Sequence, residues 1–166
     1  MDAKKAKRAK TGRLLRLLAA VALTEIVGIA ASVFTIPAIG TWYATLNKPG
    51  FTPPNWLFGP VWITLYALMG IASFLVWEKG MKRKEVRGSL AAFGVQLSLN
   101  FLWSVLFFGL HSLSYGLADI IALLIAIAFT IRMFYKVSKP AAYLMIPYIL
   151  WVVIAMMLNL YVLKLN

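Results

Sequence analysis

Five uninterrupted apolar stretches, at about residues 17–36, 57–77, 89–109, 115–135 and 141–163, limit this chain more than any other feature. Each runs to about 20 residues, the length an α-helix needs to cross the hydrocarbon core of a bilayer. Lipid offers backbone N–H and C=O groups no partner, so a spanning segment must satisfy them internally as a helix or within a closed barrel. Barrel strands alternate apolar and polar residues, and that alternation is missing. Hydrophobic residues make up 62% of the chain, against about 45–50% in soluble domains. The expected fold is an all-α integral membrane protein, a single five-transmembrane-helix bundle over 17–163 behind a basic tail at 1–16. No internal repeat and no second domain is visible.

The net charge of +12 is arranged as topology rather than as a nucleic-acid-binding stripe. With five spans, 15 of the 17 basic residues fall on one side, in the N-terminal tail and around 78–88 and 132–140. Only Lys48 and Lys164 fall on the other. The positive-inside rule then places the N-terminus in the cytoplasm, with a prokaryotic cell membrane as the expected location. The first span follows a basic stretch as a signal peptide would. Its length and the lack of a clear small-residue cleavage site favour a retained helix. With no cysteine and a single His111, neither thiolate chemistry nor a metal cluster is expected.

The connection at 37–56 contains NKPGFTPPNW, a stiff, aromatic segment with one charge. Its prolines fix φ and remove donors, which excludes a helix or central strand.

Polar side chains inside the spans need a reason, because hydrocarbon solvates them poorly. Gln96, Asn100, Trp103 and Phe107 follow at spacings of 4, 3 and 4, so they share one helix face. They either line a pocket for a flat, mostly apolar ligand or hydrogen-bond to a neighbouring helix. Trp62, Tyr66, Gly70 and Ser73 form a second stripe, and Tyr148, Trp151, Ala155 and Leu158 a third. Packing alone would also produce such stripes. Trp62 and Trp151 nevertheless lie inside their spans, which weakens the reading of them as interfacial anchors. Glu25, with Gly28 and Ser32 one and two turns on, reads either as a proton relay or as protonated or paired polar glue. The small pair suits close helix contact or an opening where ligand meets backbone. Asp119 is expected to cap exposed donors or pair near the interface. His111 is read as a solvated turn residue, with haem ligation as the alternative. Pro147 should kink the last helix. Leu158, Tyr161 and Lys164 fit a loose sterol pattern and fit interfacial anchors equally well.

Taken together, TWYATLNKPGFTPPNW, GPVWITLYALMG, QLSLNFLWSVLFFG, the Tyr115–Asp119 spacing and SKPAAYLMIPYILW resemble the tryptophan-rich sensory protein and translocator protein family, also called peripheral-type benzodiazepine receptors. The resemblance implies a membrane bundle, usually a homodimer, whose pocket binds tetrapyrroles such as protoporphyrin IX, and in some members sterols such as cholesterol or synthetic ligands. Ligand-binding candidates carried over by motif are Phe58, Gly59, Trp62, Asn100, Trp103, Trp151, Ala155 and Leu158, with Ser32 aligned by its distance from Trp42. Tyr66 and Gln96 join them from the helix faces described above. The loop becomes a lid built from Pro49, Phe51, Pro53, Pro54 and Trp56, or else a rigid connector that sets the helix geometry.

Three activities follow from the resemblance: a porphyrin sensor, carrier or scavenger; a light-dependent porphyrin-degrading enzyme using Trp62 and Trp151 as catalytic residues; or a sterol or small-lipid transporter. None requires a resident metal or cofactor, since the porphyrin is itself ligand or substrate. The sequence departs from animal members at Glu25, at Tyr115 and where Leu160 separates Asn159 from Tyr161.

Overall fold

The computed structural model describes the backbone of residues 3–166 and side chains from Lys10 onward. Five helical spans are long and apolar enough to cross a membrane. Helix α1 covers Ala3–Ile39, a short α2 covers Trp42–Thr45, and α3 covers Asn55–Trp77. Helix α4 covers Lys84–Ser104 and continues through a π-helical turn at Val105–Gly109. Helices α5, α6 and α7 cover Leu113–Val137, Lys139–Leu144 and Ile146–Leu165.

Most helix ends reach beyond the apolar stretches. Within the described residues the basic tail is part of α1 rather than a separate segment, because its Lys, Arg and Ala residues are strong helix formers. Met1 and Asp2, the first residues of that tail, lie outside the described residues. Helix α3 begins directly after Pro53-Pro54, where the proline run ends.

The last span is broken rather than merely kinked. Pro147 has no N–H for the carbonyl of Tyr143, and α6 ends at Leu144 before α7 restarts at Ile146. Pro147 stands in the first turn of α7, where its missing donor costs no hydrogen bond.

The bundle core lies between α3, α4, α5, α6 and α7, where Met69, Ile127, Phe134, Met145 and Tyr148 are fully buried. Helix α1 packs chiefly on α3, and α4 on α5. The opposite face of α1 presents Ile26 and Val33, each at least 60% exposed, as expected for a lipid-facing surface.

The approach of α1 to α3 depends on two glycines. A Cβ on Gly70 would meet the Cα of Val21 at 2.5 Å and Thr24 Oγ1 at 2.8 Å, and one on Gly28 would enter the ring of Tyr66. Because the two backbones lie so close, Thr24 Oγ1 reaches the Tyr66 carbonyl oxygen at 2.8 Å.

The π-helical turn shapes the outer end of α4. Its wider pitch buries both Phe107 and Phe108, with rings 4.8 Å apart, and the Trp103 ring stacks on Phe107 at 5.0 Å. The first loop docks on this cluster through Trp42 and Tyr43. Burial pushes the Tyr43 phenol up from its ordinary pKa, and Lys48 Nζ sits 4.8 Å from its ring centre. His111 takes a positive φ of 52° in the turn before α5 and stacks on Trp42. Ser112, not Asp119, caps α5 by accepting from the Tyr115 N–H. Asp119 is buried and its Oδ2 has no hydrogen-bond partner among the described residues.

The glycine contact yields the first prediction. Gly70→Val should destabilise the bundle by about 1–3 kcal/mol through overpacking, whereas Gly94→Ala, whose Cβ meets nothing within 4 Å, should be neutral or better. Thermal unfolding in detergent would check this, and equal midpoints for Gly70→Val and wild type would refute the close contact.

Candidate ligand cavity

Helices α1, α3, α4 and α7 leave a cavity of about 340 Å³ between them. That lies within the range of small-molecule sites, about 300–1,000 Å³. Its walls are mainly aromatic and aliphatic, with Phe58 and Trp62 from α3, Trp103 from α4 and Trp151 and Ala155 from α7. The ring of Phe58 meets Trp151 edge to face at 5.9 Å, and Trp62 lies 5.6 Å from Tyr66.

The mouth faces lipid. Ile29, Ile36 and Ile63 line it and are all more than 60% exposed, so the gap opens between α1 and α3 rather than toward bulk water.

Polar groups are few and stand on more than one wall. The Tyr66 hydroxyl donates to Asn100 Oδ1, and Asn100 Nδ2 donates to the Tyr148 hydroxyl at 3.1 Å. This chain joins α3, α4 and α7 and satisfies Asn100 deep in the bundle. Trp103 Nε1 donates to Asn159 Oδ1 at 3.4 Å, and Asn159 Nδ2 donates to the Leu113 carbonyl at 2.9 Å. Ser32 lines the α1 wall while donating to the Ile29 carbonyl at 2.7 Å. Glu25 also lines the cavity, without a hydrogen bond or ion pair among the described residues. The Trp151 indole N–H is buried and unpartnered.

Of the residues anticipated from sequence, Ser32, Phe58, Gly59, Trp62, Tyr66, Asn100, Trp103, Trp151 and Ala155 come together around this cavity. Gln96 does not. It lies one turn deeper on the same face of α4, is fully buried, and sets its Nε2 3.9 Å from Met69 Sδ while its Oε1 has no partner. Leu158 is buried nearly one turn beyond Ala155 and also falls outside the lining. Both side chains are instead buried by the helices packed around them.

The proline-rich segment lies beside the cavity rather than in it. Pro49, Phe51, Pro53, Pro54 and Trp56 are not in its lining, and Asn55 is the loop's contribution. Phe51 packs edge to face on Tyr161 at 5.4 Å, and Asn47 pairs with Asn166, where its N–H donates to Oδ1 at 3.0 Å. Trp56 is 71% exposed.

Sequence reading singled out Glu25, Gly28 and Ser32 on α1 but passed over Ile29, Thr35, Ile36 and Ile39 on the same wall. Their spacing of three and four residues marks one helix face, so the signal was present. It was hidden because α1 is apolar on every side. Among the described residues no three His, Asp or Glu side chains gather as metal ligands would.

Comparison with known proteins agrees with this architecture. Residues 20–165 match the TspO/MBR family. The chain is 50% identical to the tryptophan-rich protein TspO of Archaeoglobus fulgidus, over 84% of this chain and 90% of that protein. It is 44% identical to the tryptophan-rich protein TspO of Chlorobaculum tepidum, over 88% and 92% of the two chains. The translocator protein of Bos taurus is 41% identical over 82% of each. A five-helix membrane bundle that matches the family along nearly its whole length belongs to it: this chain is a member of the TspO/MBR family.

Proposed function

We propose that the cavity binds protoporphyrin IX or a related tetrapyrrole, and that the protein acts as a membrane sensor, carrier or scavenger of it. The observation that carries this reading is a lipid-facing slot walled by Phe58, Trp62, Trp103 and Trp151, with a few polar side chains set among them. A flat macrocycle with propionate edges is likewise mostly apolar with a few polar groups. Aromatic walls suit it through offset stacking and edge contacts. Relatives named tryptophan-rich sensory protein, from Cereibacter sphaeroides, and translocator protein, from Homo sapiens, are compatible with either sensing or carriage. The charge asymmetry of the spans supports an N-terminus in the cytoplasm.

Gly59 gives a clean test. It lines the cavity, and a Cβ there meets nothing within 4 Å. Gly59→Trp should fill the slot without disturbing the helices. Fluorescence titration should show porphyrin affinity at least about tenfold weaker, a loss of 1.4 kcal/mol or more, with thermal stability unchanged. Wild-type affinity in that variant would place the ligand elsewhere.

A second reading is favoured by one geometric fact: Trp62 and Trp151 line the same cavity. An excited porphyrin between them is close enough to exchange an electron with indole, with dissolved dioxygen as terminal oxidant. Illuminated, aerated wild type should then bleach bound porphyrin faster than the Trp62→Phe/Trp151→Phe variant at equal occupancy. Matching rates would remove the pair from any photochemical role.

The loop is read as a lid of limited reach, held at one end by Asn47 and Asn166 and touching the cavity at Asn55. Two prolines next to Asn55 reduce the freedom lost on closure. Pro53→Gly/Pro54→Gly should speed porphyrin dissociation severalfold in stopped-flow exchange; an unchanged off-rate would make the segment a connector.

A further inference from the structure

A second concavity lies at the opposite, basic end of the bundle. It has a volume of about 630 Å³ and is lined by Arg13 of α1, Leu75, Glu78 and Lys79 at the end of α3, and Val137 to Pro140 at the α5–α6 turn. Neither the cavity above nor its proposed porphyrin uses any of these groups.

The charges there do not balance. Arg13 holds Glu78 in a two-pronged ion pair, Nε to Oε1 at 2.8 Å and a terminal guanidinium nitrogen to Oε2 at 3.0 Å. That pair neutralises itself and fixes the α1–α3 edge of the groove. Lys79 and Lys139 remain, from two different chain segments. Lys79 has no ion pair among the described residues, and Lys139 Nζ only overlies the Tyr135 ring at 5.5 Å. The groove therefore carries a surplus of two positive charges beside the apolar side chains of Leu75, Val137 and Pro140. On α1 the boundary is sharp, since Leu14 and Leu15, next to Arg13, are more than 50% exposed toward lipid.

We propose that this groove is a binding site for the phosphate headgroup of an anionic phospholipid. Lys79 and Lys139 hold the phosphate, the Arg13–Glu78 pair forms the rigid wall, and the acyl chains descend along the exposed leucines of α1. Basic pockets between helices at the membrane surface favour such headgroups, and each lysine near the surface adds to the attraction. A free phosphate ion shares the charge but has no use for the apolar rim. The lipid is therefore the better occupant.

The test uses the full chain in nanodiscs of phosphatidylcholine with a minor share of phosphatidylglycerol, and native mass spectrometry to read the lipids retained. Wild type should carry phosphatidylglycerol well above its share in the disc. Lys79→Gln/Lys139→Gln should lose that enrichment by about tenfold or more. Lys82→Gln/Lys136→Gln, which removes equal charge from the same end but outside the groove, should keep it. Equal loss in both double variants would assign the effect to diffuse surface charge and overturn the site, as would retention of enrichment in the first. Inorganic phosphate titrated into pure phosphatidylcholine discs should leave the melting temperature unchanged. A saturable rise lost in Lys79→Gln/Lys139→Gln would make free phosphate the occupant and overturn the lipid assignment. Porphyrin affinity is read separately, so failure here leaves the upper cavity untouched.

Discussion

Hydrogen bonds from Tyr66 to Asn100 and from Asn100 to Tyr148 tie three helices together at a depth where water cannot substitute. In hydrocarbon the helices gain nothing from simple burial of Leu against Leu, so polar links and close packing decide which faces meet. Here the link fixes the rotation of α3, α4 and α7. That rotation turns Trp62, Trp103 and Trp151 toward one space. The fully buried Tyr148 ring and the packed residues around it close that space on the core side.

The cavity stays open on its other side for a complementary reason. Gly70 and Gly28 let α1 approach α3 closely, but only in its middle. Toward the outer end α1 stands away, and Ser32, Thr35 and Ile39 form a wall instead of a contact. One helix thus serves as clamp at one depth and as cavity wall at another. The aromatic cluster of Trp103, Phe107 and Phe108 anchors the first loop beside it.

The five spans were legible because length and apolarity are one-dimensional properties. The cavity residues on α3 and α7 were legible because aromatic stripes keep helical spacing. Depth was not legible: Gln96 and Asn100 share a face four residues apart, yet one is sealed against Met69 and the other borders the cavity. Phe108 was missed because, in a regular helix, it lies about 80° from Asn100. The π-helical turn brings it back to the lining. The break at Met145 was sharper than the expected kink because Pro147 starts a new helix instead of interrupting an old one. The loop's stiffness and aromaticity were legible in its prolines, Phe51 and Trp56. Its contacts with Tyr161 of α7 and with Asn166, which leave Asn55 lining the cavity, were not.

The proposed binding keeps one tetrapyrrole in a defined place in the bundle rather than dissolved in the surrounding lipid. A dark equilibrium titration of wild-type protein in nanodiscs with protoporphyrin IX, read by Soret absorbance against protein-free discs, addresses it directly. A shifted band that saturates at one porphyrin per chain is expected. Uptake that rises without saturation and matches the empty discs would contradict it.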